Sequence, residues 1–337
     1  MKAVELHSFT KDGLVLAERA EPAVGPHEVK VRVRAVSLNY RDHMVTSGMY
    51  GIPAEALPLV PVSDGAGEVV AVGAAVTRFK VGDRVTSMMT RDFISGELTP
   101  ERQAAQNGGP LDGMLQEYAV LPEHALVAFP SHLSYEEAAT LPIAALTAWN
   151  ALTEGGAAPG RTVLLQGTGG VSLAALQLAK LFGARVIITT SKEERRARLL
   201  ELGADVVLNY KTSPDLAGEI LAATDGRGVD MVIEVTGLSG MQTSLSVLRL
   251  GGYIGFVGLL AGMGDAPDFT LPLLFKNARI RGVLTGSRDM YEDMLRAIGQ
   301  HQLKPIVGEV FALADFQRAF ERYQSSAVFG KVVIRLD

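Results

Sequence analysis

The residues best suited to chemistry lie in one short run, Gly167-Thr168-Gly169-Gly170-Val171-Ser172. The run fits a G-x-G-x-x-G spacing with serine in the last place. In such a turn the first glycine lets the chain swing from strand to helix, and the second leaves room for a pyrophosphate against the backbone. The helix that follows offers unpaired N–H groups and a partial positive charge to that anion. The last position serves close packing of helix on strand, and serine is small enough for it. The apolar TVLLQ precedes the run and VSLAALQLAKLFG follows it, so strand, turn and helix come in the order a dinucleotide site requires. Gly167, Gly169, Gly170 and Val171 are therefore expected to hold a dinucleotide's pyrophosphate.

The end of the next strand discriminates between dinucleotides. An NAD site usually places an Asp or Glu there to grip the ribose hydroxyls. Here the strand RVIITT runs into Ser191 and Lys192, with Arg195 close behind and no acid at the strand end. Small hydroxyls and cations suit a 2′-phosphate, because they donate to it and neutralise its charge. The pattern predicts NADP(H), with Ser191, Lys192 and Arg195 at the 2′-phosphate.

Other chemistries are excluded or unsupported by composition. The chain has no cysteine, which removes disulfides, thiolate nucleophiles and cysteine-based metal sites. Its six histidines show no paired-ligand spacing. A net charge of −5 leaves no basic footprint for nucleic acid or for an anionic membrane. No apolar run approaches the roughly 20 residues that span a bilayer, and the N-terminal MKAVELHSF lacks a signal-peptide core. A cytoplasmic protein is expected, acting on a small-molecule substrate.

The elements that must position these residues follow from patterning. Residues 1–125 read as β-rich: EVKVRVRAVSL alternates with period two, and DGAGEVVAVG and VGDRVTSMM carry short Val-rich runs between glycine turns. The stretch Phe93–Gly113 reads as a long polar surface loop. Ser134 starts a helical stretch, and from there apolar strands alternate with helices through IRGVLTG. That alternation implies a doubly wound parallel sheet over residues 131–286. Residues 287–337 end in KVVIRL, a strand expected to rejoin the first domain.

The motifs LNYRDHMVTSGMYG, VSDGAGEVVAVG, FKVGDRV, AATLPIAALTAWNAL, QGTGGVS and FGKVVIRL together resemble the medium-chain dehydrogenase/reductase superfamily, and within it the zinc-independent, quinone-oxidoreductase-like branch. The resemblance covers essentially the whole chain. It implies an α/β protein with a GroES-like β-rich catalytic domain (1–130 and 287–337) and a Rossmann domain (131–286). Zinc-dependent relatives ligate a catalytic metal at positions that are here Asn39, Ser63 with Asp64 beside it, and Ile143. No tetrahedral zinc site is expected from that set.

The same resemblance implies roles for individual residues. Asn39 and Tyr50 match positions that face nicotinamide and substrate, where each can donate a hydrogen bond to the acceptor oxygen. Tyr40 and Arg41 are expected near the cofactor, with Asp42 pairing locally with Arg41. Thr147 and Thr285 match the nicotinamide side, and Tyr210 the adenosine side. Phe256, Val257 and Gly258 end a later strand, where such sheets bind ligands. Lys331 matches a C-terminal residue closing over the cofactor. The expected activity is NADPH-dependent reduction of a quinone or α,β-unsaturated carbonyl. NADP-dependent alcohol dehydrogenation and non-catalytic NADPH binding are the alternatives. A homodimer paired through the Rossmann sheet edge is implied as well.

Overall fold

The computed structural model describes residues 1–10, 12–260, 262, 268–325 and 327–336. Its contacts divide the chain into two units, residues 1–146 with 286–337, and residues 147–285. The stretch 131–146 thus groups with the first unit, because its helix at Tyr135–Ala139 packs on the sheet of that unit.

The first unit opens with β1 (Lys2–Leu6) and β2 (Leu14–Glu18), which pair antiparallel. Then come β3 (Glu28–Ser37), α1 (Tyr40–Thr46), β4 (Asp64–Val72), β5 (Arg84–Ser87), α2 (Pro100–Ala104), β6 (Tyr118–Pro122), β7 (Leu126–Ala128) and α3 (Tyr135–Ala139). The period-two alternation of β3 buries Val29, Val31, Val33 and Ala35. Each of these valines contributes about 1.5–3 kcal/mol of apolar burial. Ser134 caps α3 in a capping box with Glu137, so the sequence start signal marks a real helix start.

The stretch 93–113 lies largely at the surface, as expected, but it turns inward at residues 106–109. It contains α2, capped by Thr99, and Gln106 and Asn107 are buried. Asn107 explains the ordering: its Nδ2 donates to Met88 O and its Oδ1 accepts from Arg91 Nε, both at 2.6 Å. A polar segment can be buried when its polar groups are satisfied in this way.

The second unit carries α4 (Leu146–Gly155), β8 (Thr162–Leu165), α5 (Gly170–Leu181), β9 (Arg185–Thr190), α6 (Arg196–Glu201), β10 (Val206–Asn209), α7 (Leu216–Ala222), β11 (Val229–Glu234), α8 (Leu238–Val247), β12 (Leu248–Phe256), α9 (Thr270–Phe275) and β13 (Arg279–Gly282). The six strands are all parallel, in the order β10-β9-β8-β11-β12-β13. Strand order reverses between β8 and β11, and ligands of such sheets bind outside the strands' C-terminal ends at that reversal.

The chain then returns to the first unit as α10 (Arg288–Gln300), β14 (Val307–Ala312), α11 (Phe316–Gln324) and β15 (Lys331–Arg335). As expected, β15 joins the first sheet, antiparallel to β3 and parallel to β14.

Candidate active site

In the second unit the glycine turn lies at the C-terminal end of β8. Gly167 has φ +72°, a left-handed conformation that favours glycine. Gly169 is the N-cap of the twelve-residue α5, makes no side-chain cap and is exposed. A Cβ built on it meets no atom within 4 Å. Open space therefore stands over a helix N-terminus whose amides lack partners, and a pyrophosphate fits there. Ser172 does more than fit: its Oγ donates to Gln166 O at 2.6 Å, tying the helix back to the strand end.

The turn is braced by a residue that motif reading missed. Glu234 ends β11 fully buried and accepts from Gln166 Nε2 (2.8 Å), Ser244 Oγ (2.5 Å) and Thr236 N (2.8 Å). Gln166 Oε1 in turn accepts from Val235 N at 3.1 Å, so the turns after β8 and β11 are joined at the strand-order reversal. The available signal was an acid closing the apolar run MVI in VDMVIE.

At the end of β9, Arg195 donates through Nη1 to Thr168 Oγ1, which brings the guanidinium beside the glycine turn. Ser191 and Lys192 are half-buried, and Lys192 N donates to Thr190 Oγ1. The nearest acid, Glu193, is engaged by Arg196 and by Asn209 Nδ2. Tyr210 is exposed, with its N–H on Thr190 O at 3.0 Å. Phe256 is the last residue of β12, and the N–H groups of Val257 and Gly258 both donate to Glu234 O. Thr147 Oγ1 donates to Leu284 O at 3.4 Å, and Asn150 Nδ2 donates to Thr285 O. Thr285 is buried and lies three residues past β13.

In the first unit, the residues at the metal positions of zinc-dependent enzymes do come together. Asn39 Nδ2 donates to Asp64 Oδ2 at 2.9 Å and to Ser37 O at 3.3 Å, and Ile143 N donates to Asp64 Oδ2 at 3.2 Å. Lys331 completes the cluster: its Nζ donates to Leu38 O at 2.6 Å and to Asn39 Oδ1. Both ends of the Asn39 amide are thereby engaged, which departs from its expected role as a free donor. Lys331, expected over the cofactor, is instead buried at 6% exposure with its ammonium committed to this cluster. Asp42 does not pair with Arg41 by hydrogen bonding. It caps α1, accepting from Asn39 N at 2.7 Å.

Burial dominates the electrostatics of the cluster. It pushes the Asp64 carboxyl up to about 7, against the pull of Lys331 and Asn39. Burial likewise raises Asp42 and lowers Lys331. The folded Asp64 thus holds its proton to higher pH than the unfolded one, and its stabilising proton uptake is lost as pH rises through about 7. Urea unfolding from pH 4.5 to 8 is therefore expected to show Asp64→Asn gaining on the wild type as pH rises. A pH-independent difference between the two would contradict a raised Asp64.

Tyr50 donates its phenol to Gln106 Oε1 at 2.8 Å and carries the Arg41 guanidinium over its ring at 4.5 Å. Arg41 also holds the backbone carbonyls of Asn107, Gly108 and Gly109. Tyr40, half-buried, opens α1 and meets the His43 ring edge-on.

Residues 25–131 match the family of alcohol dehydrogenase GroES-like domains, and residues 170–300 match the zinc-binding dehydrogenases. The chain belongs to the medium-chain dehydrogenase/reductase superfamily. As a member of it, the chain is an oxidoreductase that uses a nicotinamide dinucleotide. It is 42% identical over 320 residues to a zinc-type alcohol dehydrogenase-like protein of Schizosaccharomyces pombe, covering 93% of this chain and 92% of that one. It is 32% identical to a quinone oxidoreductase of Pseudomonas aeruginosa, over 94% and 92% of the two chains. A solved NAD-dependent alcohol dehydrogenase superposes with a TM-score of 0.90 at 34% identity, covering 100% of both chains.

Zinc, which the name of the second matching family implies, does not fit the residues of this medium-chain dehydrogenase/reductase. Asn39, Ser63 and Ile143 supply an amide, a hydroxyl and an alkyl group, and the single carboxylate Asp64 lies in a cluster that already holds the Lys331 ammonium. A second cation there would meet charge repulsion and lack soft or imidazole ligands. Among the described residues, no helix is long and apolar enough to cross a membrane.

Proposed function

We propose that the chain is an NADPH-dependent, zinc-free reductase of quinones or α,β-unsaturated carbonyls. The observation that carries this reading is the Lys331 ammonium bound to Asn39 at the metal positions. A chain built this way lacks the Lewis acid that alcohol oxidation in the zinc branch relies on. A conjugated acceptor needs less, because its carbon is already electron-poor. When bound, the reduced nicotinamide supplies a hydride. The protein's part is to hold the partners together and to place donors where the acceptor oxygen gains charge.

In this reading Gly167, Gly169, Gly170 and Val171 hold the pyrophosphate. Ser191, Lys192 and Arg195 take the 2′-phosphate, and Tyr210 lies by the adenosine. Tyr40, Thr147, Phe256, Val257, Gly258 and Thr285 lie toward the nicotinamide, and Tyr50 toward the acceptor. The Arg195 guanidinium beside Thr168 supports the NADP preference, as does the engagement of Glu193 by Arg196 and Asn209. Alcohol dehydrogenation is the second reading, favoured by the names of two of the similar proteins.

The test is NADPH oxidation, with NADH in parallel, against a simple quinone, a cyclic enone and a saturated aldehyde. Turnover of the quinone or enone alone supports the proposal, and turnover of the aldehyde alone overturns it. Changing Ser191, Lys192 and Arg195 to Asp, Ala and Ala should raise the KM for NADPH by about 100-fold or more while that for NADH moves little. Unchanged selectivity would mean the 2′-phosphate is read elsewhere.

The reading includes a cytoplasmic homodimer. Among the described residues β13 is an edge strand of the six-stranded sheet, and Leu271, Leu274 and Phe275 of α9 are 58%, 68% and 72% exposed. A monomer mass in light scattering would contradict it.

A further inference from the structure

Tyr50 and Arg41 converge on one atom. Gln106 Oε1 accepts from the Tyr50 hydroxyl at 2.8 Å and from Arg41 Nη2 at 3.1 Å. Because a guanidinium only donates, Arg41 fixes which end of the Gln106 amide is oxygen. The other end, Nε2, makes no hydrogen bond to any described residue. Yet it is not among the sealed-off polar atoms without partners, a group that does include Arg41 Nε. Gln106 as a whole is 4% exposed. It is a nearly buried side chain with one donor group left to an outside partner.

The backbone around it is held on several sides. Thr90 and Gln106 form a bridge, Arg91 N donates to Ala105 O at 2.8 Å, Asn107 N donates to Met89 O at 2.9 Å, and Leu111 N donates to Gln106 O at 3.1 Å. The donor is thus pre-positioned, the condition for stabilising charge that develops in a reaction. Two donors on Oε1, one of them charged, also polarise the amide and strengthen its N–H groups.

The geometry points to Gln106 as the residue that hydrogen-bonds the acceptor's carbonyl oxygen through Nε2, with Tyr50 and Arg41 as the positioning residues that aim it. This rests on the reading of Tyr50 as a substrate-side residue. It replaces direct donation by Tyr50, whose proton is already given to Gln106.

Gln106→Glu tests the assignment. The carboxylate keeps an acceptor for Tyr50 and Arg41 but has no N–H for the substrate. We expect kcat/KM for the acceptor to fall by at least about 50-fold, with NADPH affinity and thermal midpoint not weakened. Tyr50→Phe should cost several-fold less than Gln106→Glu. A Gln106→Glu variant within twofold of wild type overturns the proposal, as does a larger loss from Tyr50→Phe, which would make Tyr50 the donor. The comparison is run on whichever acceptor the wild type reduces, so an error in substrate class leaves this inference tested. Independently of turnover, the side-chain amide resonances absent from Gln106→Glu should shift in the wild type when 2-cyclohexenone is added with NADP⁺. Resonances that stay in place at saturating enone overturn it too.

Discussion

Gly169→Asp is expected to raise the dissociation constant for NADPH by about 100-fold or more while leaving thermal stability unchanged or higher. The separation of the two effects comes from position. Residue 169 is an N-cap with φ −79° and ψ 176°, an extended conformation open to any residue, and a Cβ there meets no atom within 4 Å. Aspartate is among the preferred N-caps, because its carboxylate accepts from the first free amides of the helix. Those same amides are the ones a pyrophosphate needs, and the carboxylate also repels it. Tryptophan-to-NADPH fluorescence titration together with a melting curve measures both. Wild-type affinity in Gly169→Asp would remove the glycine turn from the cofactor site.

Asp230→Ala is expected to do the reverse, destabilising the second unit by about 3 kcal/mol with little change in NADPH affinity in the folded protein. Asp230 is the second residue of β11, at the end of the sheet opposite the glycine turn. Its side chain is 3% exposed and accepts from Arg161, Arg227 and Arg249 and from Thr162 N. Burial alone would push its carboxyl up, but these donors together hold it well below the usual carboxylate range. A depressed carboxyl contributes stability at every pH above its unfolded value and loses it only as pH falls below that. The deficit of Asp230→Ala in urea midpoint should therefore be constant from pH 8 down to about 4. A deficit that disappears at neutral pH would mean that the three arginines do not depend on it.

The second unit was largely legible in the sequence because its information is local. A strand, a glycine turn and a helix within about 30 residues encode a dinucleotide site, and the absence of an acid after RVIITT is visible without a fold. The first unit was legible as β-rich, through the alternation of β3. Its site was legible only in part, since the partners are far apart along the chain. Asn39 and Lys331 are 292 residues apart, and nothing near either announces the other. Gln106 was hidden for a different reason. Polar, glycine-containing stretches such as 93–113 usually stay on the surface, and most of this one does, but residues 106–109 are buried because Arg41 and Asn107 satisfy their polar groups, which no local pattern reports. Ser172 shows the limit of motif matching: the spacing tolerates serine, but only the structure gives its hydroxyl a partner.

The lysine among the former metal positions also bears on how this chain can change. Introducing cysteine or histidine at residue 39, 63 or 143 one at a time would leave the Lys331 ammonium at the cluster. Removing Lys331 alone would leave Asp64 as a buried carboxyl without its cationic partner. No single step therefore assembles a zinc site, and the step that removes the ammonium costs stability. On the proposed zinc-free reading, a residue from the far end of the chain thus holds the cluster near its beginning against the return of a metal.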